Sequence, residues 1–294
     1  MSYHSRLSKA FKDVPSLPLT DQSRYILISD CHRGTGTIDD DFLKNQNLYF
    51  AALNDYYNSG YTYIELGDGD ELWKNRRMQE ITEIHSNVFW LMERFHKHNR
   101  LYMLYGNHDI VKKQYNFMQN KCRIKDYAQA PEFQSLLANL HFHSGIIMTD
   151  RETGKKIYLT HGHQIDFLNS VLWPLARFLV RYVWRFLEHV GFPDPTSAAK
   201  NNTHKEKSEK RLTKWAADHN RILIAGHTHR PMLGTPASPY FNTGSCVHPR
   251  CITCIEIQNR CFTLVKWTID TREDRTLYVS RQVLAGPTCI DEYV

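Results

Sequence analysis

The chain has 294 residues, 41% of them hydrophobic, and a formal net charge of +6. That is enough apolar material for one large domain with a buried core, and it excludes an intrinsically disordered chain. The positive excess is small and forms no continuous basic run, so nucleic acid is not expected as a partner.

The first twenty residues carry Arg6, Lys9 and Lys12 and no continuous apolar core, so no secretory signal peptide is expected. The seven cysteines are scattered and odd in number, which reads as free thiols in a reducing, cytoplasmic setting. Strands are predicted at Arg24–Ser29, Tyr61–Leu66, Arg100–Tyr105, Lys156–Thr160 and Arg221–Ala225, each short and β-branched or aromatic-rich. Helices are predicted over Asp41–Ser59, closed by Gly60, and over Met78–His98. "MTDRETGKKI" reads as a hairpin turn into the Lys156 strand. Past the Arg221 strand, Cys251–Ile257, Arg260–Asp270 and Thr276–Val283 read as consecutive antiparallel strands. Cys251 and Cys254, three apart in a strand, should face opposite sides and hold no zinc. Alternating α and β followed by a β-rich end predicts an α/β fold of layered, mixed sheets flanked by helices.

Each of the first five strands is followed by oxygen or nitrogen ligands. They are Asp30 and His32, Asp68, then Asn107, His108 and Asp109, then His161 and His163, and finally His227 and His229. A lone Asp-x-His or His-x-His is usually a solvated loop or a capped helix. Five such clusters, each at the carboxyl end of a buried strand, fall where open α/β sheets bind ligands. Asp, Asn and His together suit Mn, Fe or Zn, and seven ligands exceed what one ion takes.

In this order, Asp-x-His, Gly-Asp, Gly-Asn-His-Asp, His-Gly-His and Gly-His-Thr-His resemble the five motifs of the calcineurin-like metallophosphoesterases, from Asp30 to about Gly244. The resemblance implies one catalytic domain over residues 1–294, a β-sandwich flanked by helices, and two divalent metal ions, Mn first among the candidates. One ion would take Asp30, His32, Asp68 and His229; the other would take Asp68, Asn107, His161 and His227. A phosphoester or pyrophosphate would then be hydrolysed by attack of a metal-bridging hydroxide. His108 is expected to protonate the leaving group, with Asp109 orienting its ring. His163 is expected behind the ligands or facing substrate.

Residues 166–218 are read as a helical cap inserted between two strands. Phe167–Val190 has apolar residues at helical spacing, and Arg177, Arg181 and Arg185 recur every four residues, candidates for contact with substrate. Three arginines at about 2.5–3.5 kcal/mol each argue against a membrane span. A peripheral contact at the inner face of the membrane remains open. "GDGDELW", "HGHQID" and a helical insertion before "GHTHRP" make the chain similar to UDP-2,3-diacylglucosamine hydrolases, which implies a lipid-linked or nucleotide-sugar substrate. His108 departs from the Arg found there. A phosphodiesterase or phosphatase for a soluble nucleotide or phosphoprotein is the alternative; a non-catalytic scaffold is disfavoured because every ligand is present.

Overall fold

A computed structural model describes residues 1–114, 140–184 and 202–293. Strand β2 (Arg24–Ile28) shows why the chain forms layers. Successive strand residues face opposite sides. Tyr25 and Leu27 enter one buried cluster and Ile26 and Ile28 another, so the strand is covered on both faces.

The first of those clusters lies between two sheets. One sheet has the order β12 (Leu277–Cys289), β11 (Cys261–Thr271), β10 (Cys251–Gln258), β2, β3 (Thr62–Leu66), β4 (Leu101–Leu104) and β5 (Phe142–His143). The other has the order β1 (Ser16–Leu19), β6 (Gly145–Asp150), β7 (Lys156–Thr160), β8 (Ile222–Ala225) and β9 (Tyr240–Asn242). Leu27, Ile64 and Ile255 of the first meet Met148, Leu159 and Ile224 of the second. Both sheets are mixed: β2–β3–β4 and β7–β8–β9 run parallel, while β10–β11–β12 and β6–β7 are antiparallel.

Helices cover the outer faces. On the larger sheet, α2 (Gln46–Asn58), α3 (Met78–Ile84) and α4 (Ser86–Lys97) bury Leu53, Ile81, Leu91 and Phe95 against Ile26, Tyr63 and Met103. On the smaller sheet, α1 (Tyr3–Lys9) and α7 (Asn202–Asp218) bury Leu7, Leu212 and Trp215 against Tyr158 and Leu223. The layered fold expected from the sequence is present, with four layers in the order α, β, β, α.

Several local expectations need correction. The helix expected over Met78–His98 breaks at His85, which has a non-helical backbone (φ −103°, ψ 32°) and whose buried ring bonds Asp40 at 2.9 Å. The single helix expected from Phe167 is three pieces among the described residues: α5 (Phe167–Ser170), α6 (Trp173–Leu179) and a π-helical turn over Val180–Trp184. Pro174 lacks the N–H that an uninterrupted helix would use there, so a new helix starts around it. The rest of that stretch, with Arg185, lies outside the described residues. α7, expected within the cap, is instead a layer helix on the outer face of the smaller sheet.

Not every cysteine is a free thiol. Cys261 and Cys289 sit directly opposite across β11 and β12 and are disulfide-bonded. That pairing weakens the ground for a reducing compartment. Cys254 is buried and Cys251 half-buried on opposite faces of β10. Among the described residues no helix is long and apolar enough to cross a membrane.

Candidate metal centre

The parallel strands β2, β3, β4, β7 and β8 end at one edge of the sandwich, and their following turns converge there. The turns are tight enough to force the backbone. Asp30, His32, Asp68, His227 and His229 all have φ between 50° and 70°. A non-glycine residue in this left-handed region costs on the order of 1–3 kcal/mol and persists only where its surroundings impose it. Two glycines let the turns approach. A Cβ at Gly106 would sit 2.1 Å from Asp68 Oδ1, and one at Gly226 would sit 2.4 Å from Asp30 Oδ2.

Among the described residues, three groups have ligand atoms within 4.8 Å of one another; two hold expected ligands alone, Asp30, His32 and His229, and Asp68, His161 and His227, while the third joins His32 to Glu71 and His108. Asp30 Oδ1 lies 3.0 Å from His229 Nε2 and 3.8 Å from His32 Nε2. Asp68 stands between the groups. Its Oδ2 is 3.2 Å from His161 Nε2 and 3.7 Å from His32 Nε2, while Oδ1 accepts the His108 N–H at 2.7 Å. Asn107 Oδ1 is 3.2 Å from His161 Nε2. All seven expected ligands are therefore gathered at one site.

The surroundings orient them. Asp30 Oδ2 accepts from the His227 N–H at 2.9 Å and from the Ser29 hydroxyl, which in turn meets Thr243 Oγ1 at 2.6 Å. His161 Nδ1 donates to the Leu66 carbonyl at 2.9 Å, which aims Nε2 at Asp68 and Asn107. His32 Nδ1 bonds Glu71 at 3.2 Å, which aims its Nε2 at the carboxylates. A ring nitrogen tied back in this way is the usual arrangement of a metal-binding histidine.

Whether the residues fit a cation is tested by what they lack. His227 Nε2 and Asp30 Oδ1 are buried with no aligned hydrogen bond. His32 Nε2 and His229 Nε2 face each other at 3.3 Å, an arrangement that suits a shared cation. Buried polar atoms left this way cost several kcal/mol in total unless something binds them. Charge tells the same story. Burial opposes ionisation of Asp68, but His161 and His108 beside it hold its carboxyl far below the usual range. Burial also opposes charge on His161, yet Asp68 and Asp30 push its imidazole up to about 9. Burial and the neighbouring charge of His161 push His227 down to about 3. The acids demand positive charge between them, and a divalent cation meets that demand.

The match over residues 23–231 to the family model described as calcineurin-like phosphoesterase decides the family. The chain is a calcineurin-like phosphoesterase. Metallophosphoesterases of this family are metal-dependent hydrolases of phosphoesters, so the enzyme class and its need for divalent metal follow. Among solved structures, the chain is similar to a mutant cold-active protein tyrosine phosphatase at 13% identity, covering 95% of this chain and 85% of that one, with a TM-score of 0.41. It is also similar to Vps29 from Chaetomium thermophilum at 11% identity, covering 89% and 95% respectively, with a TM-score of 0.40. No curated protein sequence matches.

Around the phosphoesterase centre, two residues differ from expectation. Asp109 does not orient His108: its carboxylate accepts from the Gly106 N–H at 2.7 Å and from Lys112 at 2.8 Å, beneath the turn. His108 Nδ1 bonds Glu71 Oε2 at 2.8 Å instead, and its ring stacks on Trp73 with centroids 4.4 Å apart. Glu71 thus ties the expected ligand His32 to His108, and it is held by the N–H groups of Trp73 and Lys74 at 3.1 Å. Burial opposes its charge, but His108 and His32 hold it well below the carboxylate range. The sequence signal for it is the acid three residues after Asp68 in "GDGDELW". His163 is buried behind His161, with ring centroids 5.4 Å apart and its Nδ1 unpartnered. Burial first, and then the neighbouring charge of His161, push that ring well below its ordinary value.

Of the cap arginines, Arg177 lies over the Trp173 ring at 5.0 Å. Arg181 donates to the carbonyls of Leu72, Trp73 and Asn75 at 2.7–3.1 Å. It is an anchor between the cap and the loop after β3. Arg181 itself lies within the π-turn.

Proposed function

We propose that the protein is a dinuclear phosphoesterase acting on an amphiphilic, lipid-linked or nucleotide-sugar phosphoester or pyrophosphate. One observation supports this most. Trp73, the residue stacked on His108, is also the floor on which the cap packs, with Ala176 and Val180 buried against it. The cap thus stands beside the proton-carrying residue, yet it leaves Phe167, Leu172, Leu175 and Phe178 between 39% and 55% exposed. Such an apolar cover next to a reacting centre suits an acyl or other apolar substrate group.

Asp30, His32, Asp68 and His229 would hold one divalent ion, and Asp68, Asn107, His161 and His227 the other. Two such ions supply a water of lowered pKa and neutralise charge on phosphoryl oxygens. Mn, Fe and Zn all suit this donor set. The chain's own contribution to proton transfer is His108. Glu71 accepts from Nδ1 and fixes the ring, which leaves Nε2 to face the leaving oxygen as the proton donor. The His108 side chain is 21% exposed, whereas Asp30, Asp68 and His161 are 2% or less. It is therefore the most exposed of the cluster, ahead of His229 at 15%, and placed to meet a substrate.

The test is an activity screen of Mn-loaded enzyme on esters of equal headgroup and increasing acyl length, with a nucleotide and a phosphopeptide alongside. Turnover rising with chain length supports the amphiphile reading. Equal turnover on all chain lengths, or preference for the nucleotide or phosphopeptide, rejects it.

A further inference from the structure

Away from the metal centre, a second concave feature lies between α1 and the first turns of α7. It is a cavity of about 340 Å³ lined by Tyr3, Thr203, Lys207, Lys210, Arg211 and Lys214, with Glu206 its single acid. Thr203, Lys207, Lys210 and Lys214 follow one another at four, three and four residues, so they share one helical face. Like charges at this spacing repel.

That repulsion is only partly relieved. The buried acid of α7, Glu209, turns the other way, to Thr228 and Arg230 beside the metal ligands. Lys214 pairs with Asp218 at 3.0 Å, but among the described residues Lys207 and Lys210 join no ion pair. Arg211 is fixed: it donates to the Ile165 carbonyl at 3.1 Å and lies 5.5 Å over the Tyr3 ring. Arg6 of α1 donates to the same carbonyl, also at 3.1 Å, which brings a second guanidinium beside the first. The first turn of α7 holds no acid.

We propose that this groove binds a phosphate-bearing anion at a site separate from the metal centre. Arg211 is the pre-positioned planar donor, and Lys207 and Lys210 are mobile point charges free to close on phosphoryl oxygens. Tyr3 supplies an apolar floor for the group that carries the phosphate. The anion is either free in solution or the headgroup of a lipid.

The experiment compares the chelator-treated full chain with its Lys207→Gln/Lys210→Gln variant. One arm follows Tm against inorganic phosphate at constant ionic strength. The other follows sedimentation with phosphatidylcholine vesicles, with and without phosphatidic acid, at low salt. A saturable Tm rise in the wild type, with the midpoint about thirtyfold weaker in the variant, identifies a free anion. Phosphatidic-acid-dependent sedimentation lost in the variant, with no Tm rise, identifies a lipid headgroup. A variant that matches the wild type in both arms, or a wild type that responds in neither, overturns the site. Both lysines are exposed and touch no metal ligand, so hydrolysis of a small chromogenic ester by the metal-loaded variant stays at the wild-type level and certifies its fold. Neither arm depends on catalysis, so the groove stands or falls independently of the substrate assignment.

Discussion

The strand-end turns and the cap are neighbours built on opposite terms. In the turns, five ligands hold a left-handed backbone and nearly every polar atom is buried. In the cap, helices of four and seven residues and a π-turn leave large apolar side chains in solvent. The turns are over-determined by two packed sheets, so strain is affordable there and geometry is fixed before any ion arrives. The cap is tied down mainly by Arg181 on three carbonyls and by the small cluster around Trp73. Precision is concentrated where ligands must meet, and adaptability where an apolar group of variable shape would lie.

The largest test of that contrast is Asp68→Ala. Asp68 faces both ligand groups, so its loss should lower metal content at both positions, not one, and abolish measurable hydrolysis. Elemental analysis of the loaded protein decides it; a variant that keeps one full equivalent would mean that the two groups are independent. Next, His108→Ala should leave metal content unchanged and slow hydrolysis of esters with poor leaving groups by roughly 10²–10⁴. Nitrophenyl esters, which need no proton, should suffer much less. Glu71→Gln should reproduce that pattern at roughly 10–100-fold, because it removes the orienting charge and not the imidazole.

Arg181→Gln probes the other region. It removes three bonds from a charged donor to carbonyls, each worth about 1.5–3 kcal/mol at most and less for this half-exposed group. We expect a Tm lower by a few degrees and a larger loss on long-chain esters than on a chromogenic one; equal losses would mark the cap as purely structural. The smallest effect is expected from Leu175→Ser with Phe178→Ser: stability within about 0.5 kcal/mol of wild type, with weakened KM for acylated substrates alone.

A pH series separates the buried frame from the cap. Burial opposes charge on Asp70, but Arg33 and Lys112 hold its pKa at about 2, against an ordinary 3.8. A depressed carboxyl stabilises the fold above its ordinary value and loses that contribution as pH falls through the folded one. Denaturant midpoints should therefore fall between about pH 4 and pH 2, and Asp70→Asn should flatten that slope while leaving cap variants unaffected.

What sequence alone determined is the part carried by local pattern. Short apolar strands, glycine-bearing turns and an oxygen- or nitrogen-bearing residue after each strand point to the layers and to the seven residues that the fold gathers at one strand-end site, because each signal lies within a few residues of its cause. Tertiary structure decided what depends on distant partners. Glu71 reaches His108 across 37 residues, while Asp109, its sequence neighbour, is drawn under the turn by Lys112. Cys261 meets Cys289 only because β11 and β12 pair in that register. Arg181 holds the carbonyls of Leu72, Trp73 and Asn75 only because the loop after β3 comes under the cap. Side-chain spacing reports which face of an element a residue occupies; what waits on that face is set by the packing of the whole chain.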